Sequence, residues 1–405
     1  VNAIIIGNGV AGMKIAEEFR SIDAEASIDV FSDEPYGYYS RIWLPEVVAG
    51  TKSVDAIIMR NEAWYDQKSI VFHPSTKVSS ISPADKTITL ENGEIKAYNK
   101  LFVCTGASNS IPPITNASIP GVFTIRTIDD ALAVKDWIQG KETAVCIGGG
   151  LLGLEAARNL ETAGLRVTVV EVFPRLLPKQ LCQTSSSILQ EKIQEIGIKT
   201  IVNTTVEEIL GSDTVTGVKL ASGEELPADV VLVSAGIKAR VDLAREAGLE
   251  VNKGVVVNEF MQTNDPDIYA AGDVIEFQGR GWGIIPAALE QATLAAKHAA
   301  GVEVEPYQPT TPSNKLKIID FDVMSVGSMI LDDEDDQCRV FISKNELAGV
   351  YKKFVVKDEK LIGAILLDAK EDEAFVSQNI NKPISEADLV EHMKIEKREA
   401  PQAEE

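Results

Sequence analysis

Two glycine-rich turns of one design occur in this chain, each preceded by a short apolar run and followed by a helical pattern. In the first, Ile4-Ile5-Ile6 leads into Gly7-Asn8-Gly9-Val10-Ala11-Gly12 and then into Met13 to Phe19. In the second, Ala144-Val145-Cys146-Ile147 leads into Gly148-Gly149-Gly150-Leu151-Leu152-Gly153 and then into Leu154 to Leu160. The first glycine of such a turn permits the tight reversal. The second lets backbone approach a pyrophosphate, and the third lets the helix pack on its strand. Gly7, Gly9, Val10, Ala11 and Gly12 are therefore expected to hold one diphosphate through backbone amides, and Gly148, Gly150 and Gly153 a second. Two dinucleotides in one chain point to electron transfer between them.

An acid at the end of the strand after each helix is expected to bond the ribose hydroxyls. After Ile28 to Ser32 this is either Asp33 or Glu34, and the sequence leaves both open. After Arg166 to Val170 it is Glu171, which would repel a 2′-phosphate, so NADH is expected over NADPH. Arg175 is close enough in sequence to offset part of that repulsion.

The chain has 405 residues, 45% hydrophobic and 25% charged, which suits two or three globular domains. Its formal charge of -22 argues against nucleic acid and against an anionic membrane surface. No uncharged run reaches membrane-spanning length, and the first residues lack the pattern of a secretory signal, so a cytoplasmic protein is expected. The four cysteines form no CxxC pair. Neither they nor the three histidines cluster as metal ligands, so no metal is expected.

The fold class expected is α/β, with two Rossmann-like dinucleotide-binding domains and a small α+β C-terminal domain. The first domain is discontinuous, residues 1–113 and 235–312, and includes a hairpin turning at Asn92-Gly93. The second spans 114–234, the C-terminal domain 313–390, and a disordered tail 391–405.

The two fingerprints, Thr105-Gly106-Ala107 after an apolar strand, and the segment Thr263 to Asp273 together resemble the FAD-dependent pyridine nucleotide-disulfide oxidoreductase superfamily. Residues 316 to 327 resemble the subgroup of NADH:rubredoxin reductases and nitrite reductase flavin domains. The resemblance implies FAD in the first domain and NADH in the second. It implies that Asp273 holds the ribityl chain with Gly272 allowing close approach, that Arg41 contacts FAD, and that the backbone at Val78 meets the adenine. Glu155 resembles a glutamate near the flavin and nicotinamide, the candidate catalytic residue.

Two departures from the superfamily bear on the acceptor. Disulfide- and peroxide-reducing members carry a redox cysteine where this chain has Tyr38 to Trp43, and no cysteine precedes Cys104. A thiol relay needs a thiolate beside the flavin, so it is not expected. Glu46 stands where several such reductases have a lysine. The resemblance thus implies an NADH oxidoreductase passing electrons through FAD to a rubredoxin or ferredoxin-like carrier. The alternatives are an NADH oxidase using oxygen and the flavin subunit of a larger redox complex. An acidic carrier would require a local basic patch on this acidic chain.

Overall fold

The structure is a computed structural model, and residues 1–318, 321–327, 338–345 and 348–393 are described. The chain divides into two compact units. The first comprises Val1–Leu44, Lys52–Ser110 and Gly236–Thr310; the second comprises Pro45–Thr51, Ile111–Ala235 and Thr311–Glu405.

A five-stranded sheet forms the centre of the first unit, in the order Ile268–Ala270, Lys100–Val103, Asn2–Ile6, Ser27–Phe31, Val71–His73. Every pairing is parallel. Parallel strands covered on both faces should be apolar along their length, and Ala3, Ile4, Ile5, Leu101, Phe102 and Val103 are buried accordingly. The fingerprint helix Val10–Ile22 turns Ala11, Ile15, Ala16 and Phe19 inward. An antiparallel sheet of Val78–Ser82, Thr87–Leu90 and Ile95–Ala97 lies within the same unit. Its second and third strands are the expected hairpin, with Gly93 at φ +85° in the turn. The long helix Ile285–Ala299 begins with proline in its first turn and buries an alanine-rich face.

The second unit holds a parallel sheet of the same kind, ordered Val122–Phe123, Val230–Val233, Thr143–Ile147, Arg166–Val170, Lys199–Ile201. It too carries a three-stranded antiparallel sheet, Val206–Leu210, Gly217–Leu220 and Glu225–Pro227. The C-terminal region is a five-stranded antiparallel sheet ordered Ser313–Ile318, Phe321–Gly327, Lys360–Leu367, Val350–Lys357, Arg339–Asn345. Val376 and Leu389, from the helices Glu373–Asn379 and Glu386–His392, share a core with Met324, Phe354 and Leu366 of that sheet. The helix ending at His392 takes in the first two residues of the expected tail; residues 394–405 lie outside the described residues. Among the described residues no helix is long and apolar enough to cross a membrane.

Candidate functional site

The two fingerprints have the same geometry at each glycine. A Cβ on Gly7 would collide with the Cys104 carbonyl, and one on Gly148 with the Ser234 carbonyl; both glycines have positive φ, +109° and +115°. A Cβ on Gly12 or Gly153 would strike the carbonyl of Gly7 or Gly148. Gly9 and Gly150, in contrast, have nothing within 4 Å of where a Cβ would stand. These middle glycines face open space, where a phosphate could meet the backbone. They are also the N-caps of their helices, neither helix has a side-chain cap, and neither has an acid in its first turn. The amides of Val10 and Ala11 thus belong to a helix start without a side-chain cap, as an anion requires. The residues present fit two dinucleotide diphosphates.

In the first unit the candidate residues gather at the carboxyl ends of the parallel strands, where ligands of open α/β sheets bind. Gly7 follows Asn2–Ile6, and Thr105-Gly106-Ala107 follows Lys100–Val103. Gly272-Asp273 follows Ile268–Ala270. Gly272 has φ +86°, and a Cβ there would approach the Ala11 Cβ to 3.1 Å, so this turn lies against the start of the fingerprint helix. Arg240 links two more of the segments. Its N–H donates to the Gly106 carbonyl at 2.9 Å, its carbonyl accepts from the Thr105 hydroxyl at 2.8 Å, and its guanidinium donates to Asp33 at 3.1 Å. Glu34 accepts from the Tyr39 hydroxyl at 2.5 Å and from Arg41 at 2.9 Å. Val78 is buried at the start of its strand. Just before it, the Thr76 and Ser75 N–H groups donate to the carbonyls of Ser32 and Glu34 at 2.7 and 3.1 Å.

Strand register identifies a position that the sequence pattern missed. Gly7 N–H donates to the Phe31 carbonyl, and Gly148 N–H donates to the Val170 carbonyl, both at 2.8 Å. The residue after Phe31 is Ser32 and the residue after Val170 is Glu171, so Ser32 occupies the place of Glu171. Asp33 and Glu34 therefore lie beyond that place. Comparing strand pairing in the two halves, rather than searching for an acid, is the signal that exposes this. Ser32 donates no acid, but its hydroxyl accepts the Glu34 N–H at 3.1 Å.

Glu171 is 5% exposed. Its carboxylate accepts the Gly149 N–H at 2.6 Å and the Phe173 N–H at 2.9 Å. The side chain is thus fixed against the second fingerprint turn, with lone pairs remaining for further donors.

Glu155 sits in the second turn of the helix Leu151–Thr162. A carboxylate stabilised by the helix dipole would have a lowered pKa. Instead burial, and secondarily the charge of Glu46, pushes Glu155 up to about 7. Glu46 belongs to the same compact unit. The charge of Glu46 therefore acts on Glu155. We expect an ionisation near pH 7 in the protein, seen by carboxyl-specific infrared or NMR titration, that is absent in Glu155→Gln. Glu46→Gln should lower its midpoint but leave it above 4.5, because burial, the larger cause, persists. Because the folded pKa is raised, Glu155 disfavours the folded state progressively as pH rises from its unfolded value through about 7. An unchanged midpoint in Glu46→Gln would disprove the coupling.

Cys104 and Cys146 are buried, and burial pushes both thiols up to about 12. Burial also raises the Cys182 thiol, but Ser185, Tyr351 and the charge of Lys353 outweigh it and leave it below its ordinary value.

Residues 1–299 match the profile of the pyridine nucleotide-disulphide oxidoreductases, and residues 312–384 match the rubredoxin NAD+ reductase C-terminal domain. The chain belongs to the pyridine nucleotide-disulphide oxidoreductase family. It is 35% identical to the assimilatory nitrate reductase electron transfer subunit of Bacillus subtilis, over 91% of this chain and 48% of that protein. The chain spans about half the length of the nitrate and nitrite reductase relatives it matches. The NADH-rubredoxin oxidoreductase of Clostridium acetobutylicum is 29% identical over 96% of this chain and 97% of its own length. Among solved structures, the ferredoxin reductase for the CYP199A2 system of Rhodopseudomonas palustris superposes with a TM-score of 0.87 at 28% identity, covering 95% of this chain and 96% of that one.

Proposed function

We propose that this chain carries electrons from NADH through FAD to a small iron protein of the rubredoxin or ferredoxin class. The observation that supports it is a pair of open, uncapped fingerprints joined to a rubredoxin-reductase-like C-terminal domain, in a chain with no cysteine before Cys104. FAD, when bound, supplies the conversion between a two-electron hydride donor and a one-electron acceptor. The chain's own residues bind and orient. The first fingerprint, Gly7, Gly9, Val10, Ala11 and Gly12, holds the FAD diphosphate, and Gly148, Gly150 and Gly153 hold that of NADH. Asp273 takes the ribityl hydroxyls, beside Thr105, Gly106 and Ala107, and the backbone at Val78 takes the adenine. Asp33, paired with Arg240, or Glu34, paired with Tyr39 and Arg41, takes the adenosine ribose, since each carboxylate keeps lone pairs for further donors. Glu171 takes the ribose diol of NADH, and Glu155 controls protonation near the reacting groups. NADH as donor fits the cytoplasmic setting expected from the sequence.

The similarity to a nitrate reductase electron transfer subunit and to a nitrite reductase favours a second role for the same chemistry, as the flavin subunit of a larger redox complex. Stopped-flow reduction by NADH, followed by mixing with rubredoxin or ferredoxin, tests the reading. Fast reoxidation by a carrier under nitrogen is expected. Reoxidation only by oxygen would replace it with an NADH oxidase.

The thiols should be dispensable. Replacing Cys104, Cys146, Cys182 and Cys338 singly with alanine should leave NADH-to-carrier turnover within about twofold, with stability losses at the buried positions. An NADH titration should consume two electrons per FAD. Four electrons, or turnover abolished by one folded cysteine variant, would expose a second redox centre.

A further inference from the structure

We propose that Gln291 is the positioning residue of the Gly272-Asp273 turn, fixing it through a one-directional hydrogen-bond chain that ends on Glu290. The Gly272 N–H donates to Gln291 Oε1 at 3.0 Å, and Gln291 Nε2 donates to the Tyr307 hydroxyl at 3.2 Å. Tyr307 and Thr310 hydroxyls stand 2.5 Å apart, and the Thr310 hydroxyl donates to Glu290 Oε2 at 2.5 Å. Gln291 is 1% exposed, and Tyr307 and Thr310 are also buried.

The direction of this chain follows from its end. The Glu290 carboxylate can only accept, so the single Thr310 proton is committed to it. Thr310 Oγ1 must then accept from Tyr307, whose one proton is thereby used. Tyr307 Oη is left as an acceptor, for Gln291 Nε2 and, at 3.4 Å, for the Thr310 N–H. That places the nitrogen of the Gln291 amide toward Tyr307 and its oxygen toward Gly272. The amide orientation facing the turn is therefore set by a carboxylate that does not touch it. Chains of this kind also strengthen each bond through polarisation.

The turn needs such a clamp. Gly272 holds φ +86° with Ala11 close on one side and Ala288 on another. The next residue, Asp273, is the one assigned to FAD, so this proposal rests on that assignment. Without an acceptor, the Gly272 N–H loses a bond that a part-buried donor should have, and the turn relaxes. Tyr307 and Thr310 lie on the segment that leads directly into the strand Ser313–Ile318, where the C-terminal domain begins. The clamp thus joins the flavin turn to the last residues of the first unit.

The test measures FAD dissociation constants on reconstituted apoprotein for the wild type, Gln291→Leu, Tyr307→Phe, the double variant and Asp273→Ala. The flavin visible circular dichroism is recorded for each. Gln291→Leu should weaken FAD about tenfold and alter the flavin dichroism. Tyr307→Phe, which touches neither the turn nor the assigned FAD residues, should weaken it about threefold by freeing the amide to flip. In the Gln291→Leu background Tyr307→Phe should cost nothing further, since the relay is already cut. A purely structural role would instead give additive losses and an unaltered dichroism, and would overturn the proposal. Wild-type FAD affinity in Tyr307→Phe, the variant least disturbing to folding, would also overturn it. Asp273→Ala separates the two layers of inference. If it weakens FAD while Gln291→Leu and Tyr307→Phe do not, only the clamp fails; if it binds FAD normally, the assignment of the turn fails and the clamp with it.

Discussion

Asp273→Ala should release FAD, lowering affinity about a hundredfold and leaving a protein that purifies largely colourless. A carboxylate bonding neighbouring hydroxyls makes charge-assisted contacts, each about 1.5–3 kcal/mol, and alanine removes them without leaving a buried charge. Asp273 follows a glycine with φ +86° at the carboxyl end of a central parallel strand, packed against the first fingerprint helix. Its loss should therefore act on ligand rather than on the sheet. Titrating apoprotein with FAD and following the quenching of flavin fluorescence gives the affinity, and far-ultraviolet dichroism of the apoprotein reports the fold. Wild-type affinity in a folded variant would remove Asp273 from the flavin site.

Glu171→Arg should shift the NADH-over-NADPH preference about a hundredfold toward NADPH, measured as the ratio of kcat/KM values for flavin reduction. The carboxylate favours a ribose diol and repels a 2′-phosphate, whereas a guanidinium attracts the phosphate. The structure adds a second effect. Glu171 also accepts the Gly149 N–H and the Phe173 N–H, so arginine strips two backbone donors of their acceptor and should weaken both nucleotides. Glu171→Gln distinguishes the two: its amide retains one acceptor oxygen, its charge is gone, and its preference should shift less than in Glu171→Arg. Unchanged ratios in both variants would take Glu171 out of the specificity role.

Much of the fold is legible because each local signal has a single mechanical reading. Gly7 and Gly148 cannot bear a Cβ against the carbonyl just past the neighbouring strand, Cys104 or Ser234, so a glycine there announces strand, turn and helix together. Continuous apolar runs such as Leu101-Phe102-Val103 announce strands buried on both faces. The Asn92-Gly93 hairpin is visible for the same reason, since its turn needs positive φ. The segment Pro45–Thr51 is different. Nothing in its sequence says that it belongs with the second unit rather than with the residues on either side of it. Only the folded path of the chain decides that, and with it the influence of Glu46 on Glu155.

The sequence by itself determined that this chain would build two dinucleotide folds, because glycine spacing, strand hydrophobicity and helix initiation are all short-range and act within about one strand-turn-helix unit. It also determined the lack of a cysteine before Cys104, a fact of composition that needs no coordinates. Tertiary structure alone decided which residues answer one another across long separations. Arg240 reaches Asp33, Thr105 donates to the Arg240 carbonyl, and Gln291 accepts from Gly272 because strands and helices distant in sequence were brought into hydrogen-bonding range. A hydrogen bond has a reach of about 3 Å, and its partner can be any residue that the packed fold delivers there. No periodicity in the sequence encodes that choice.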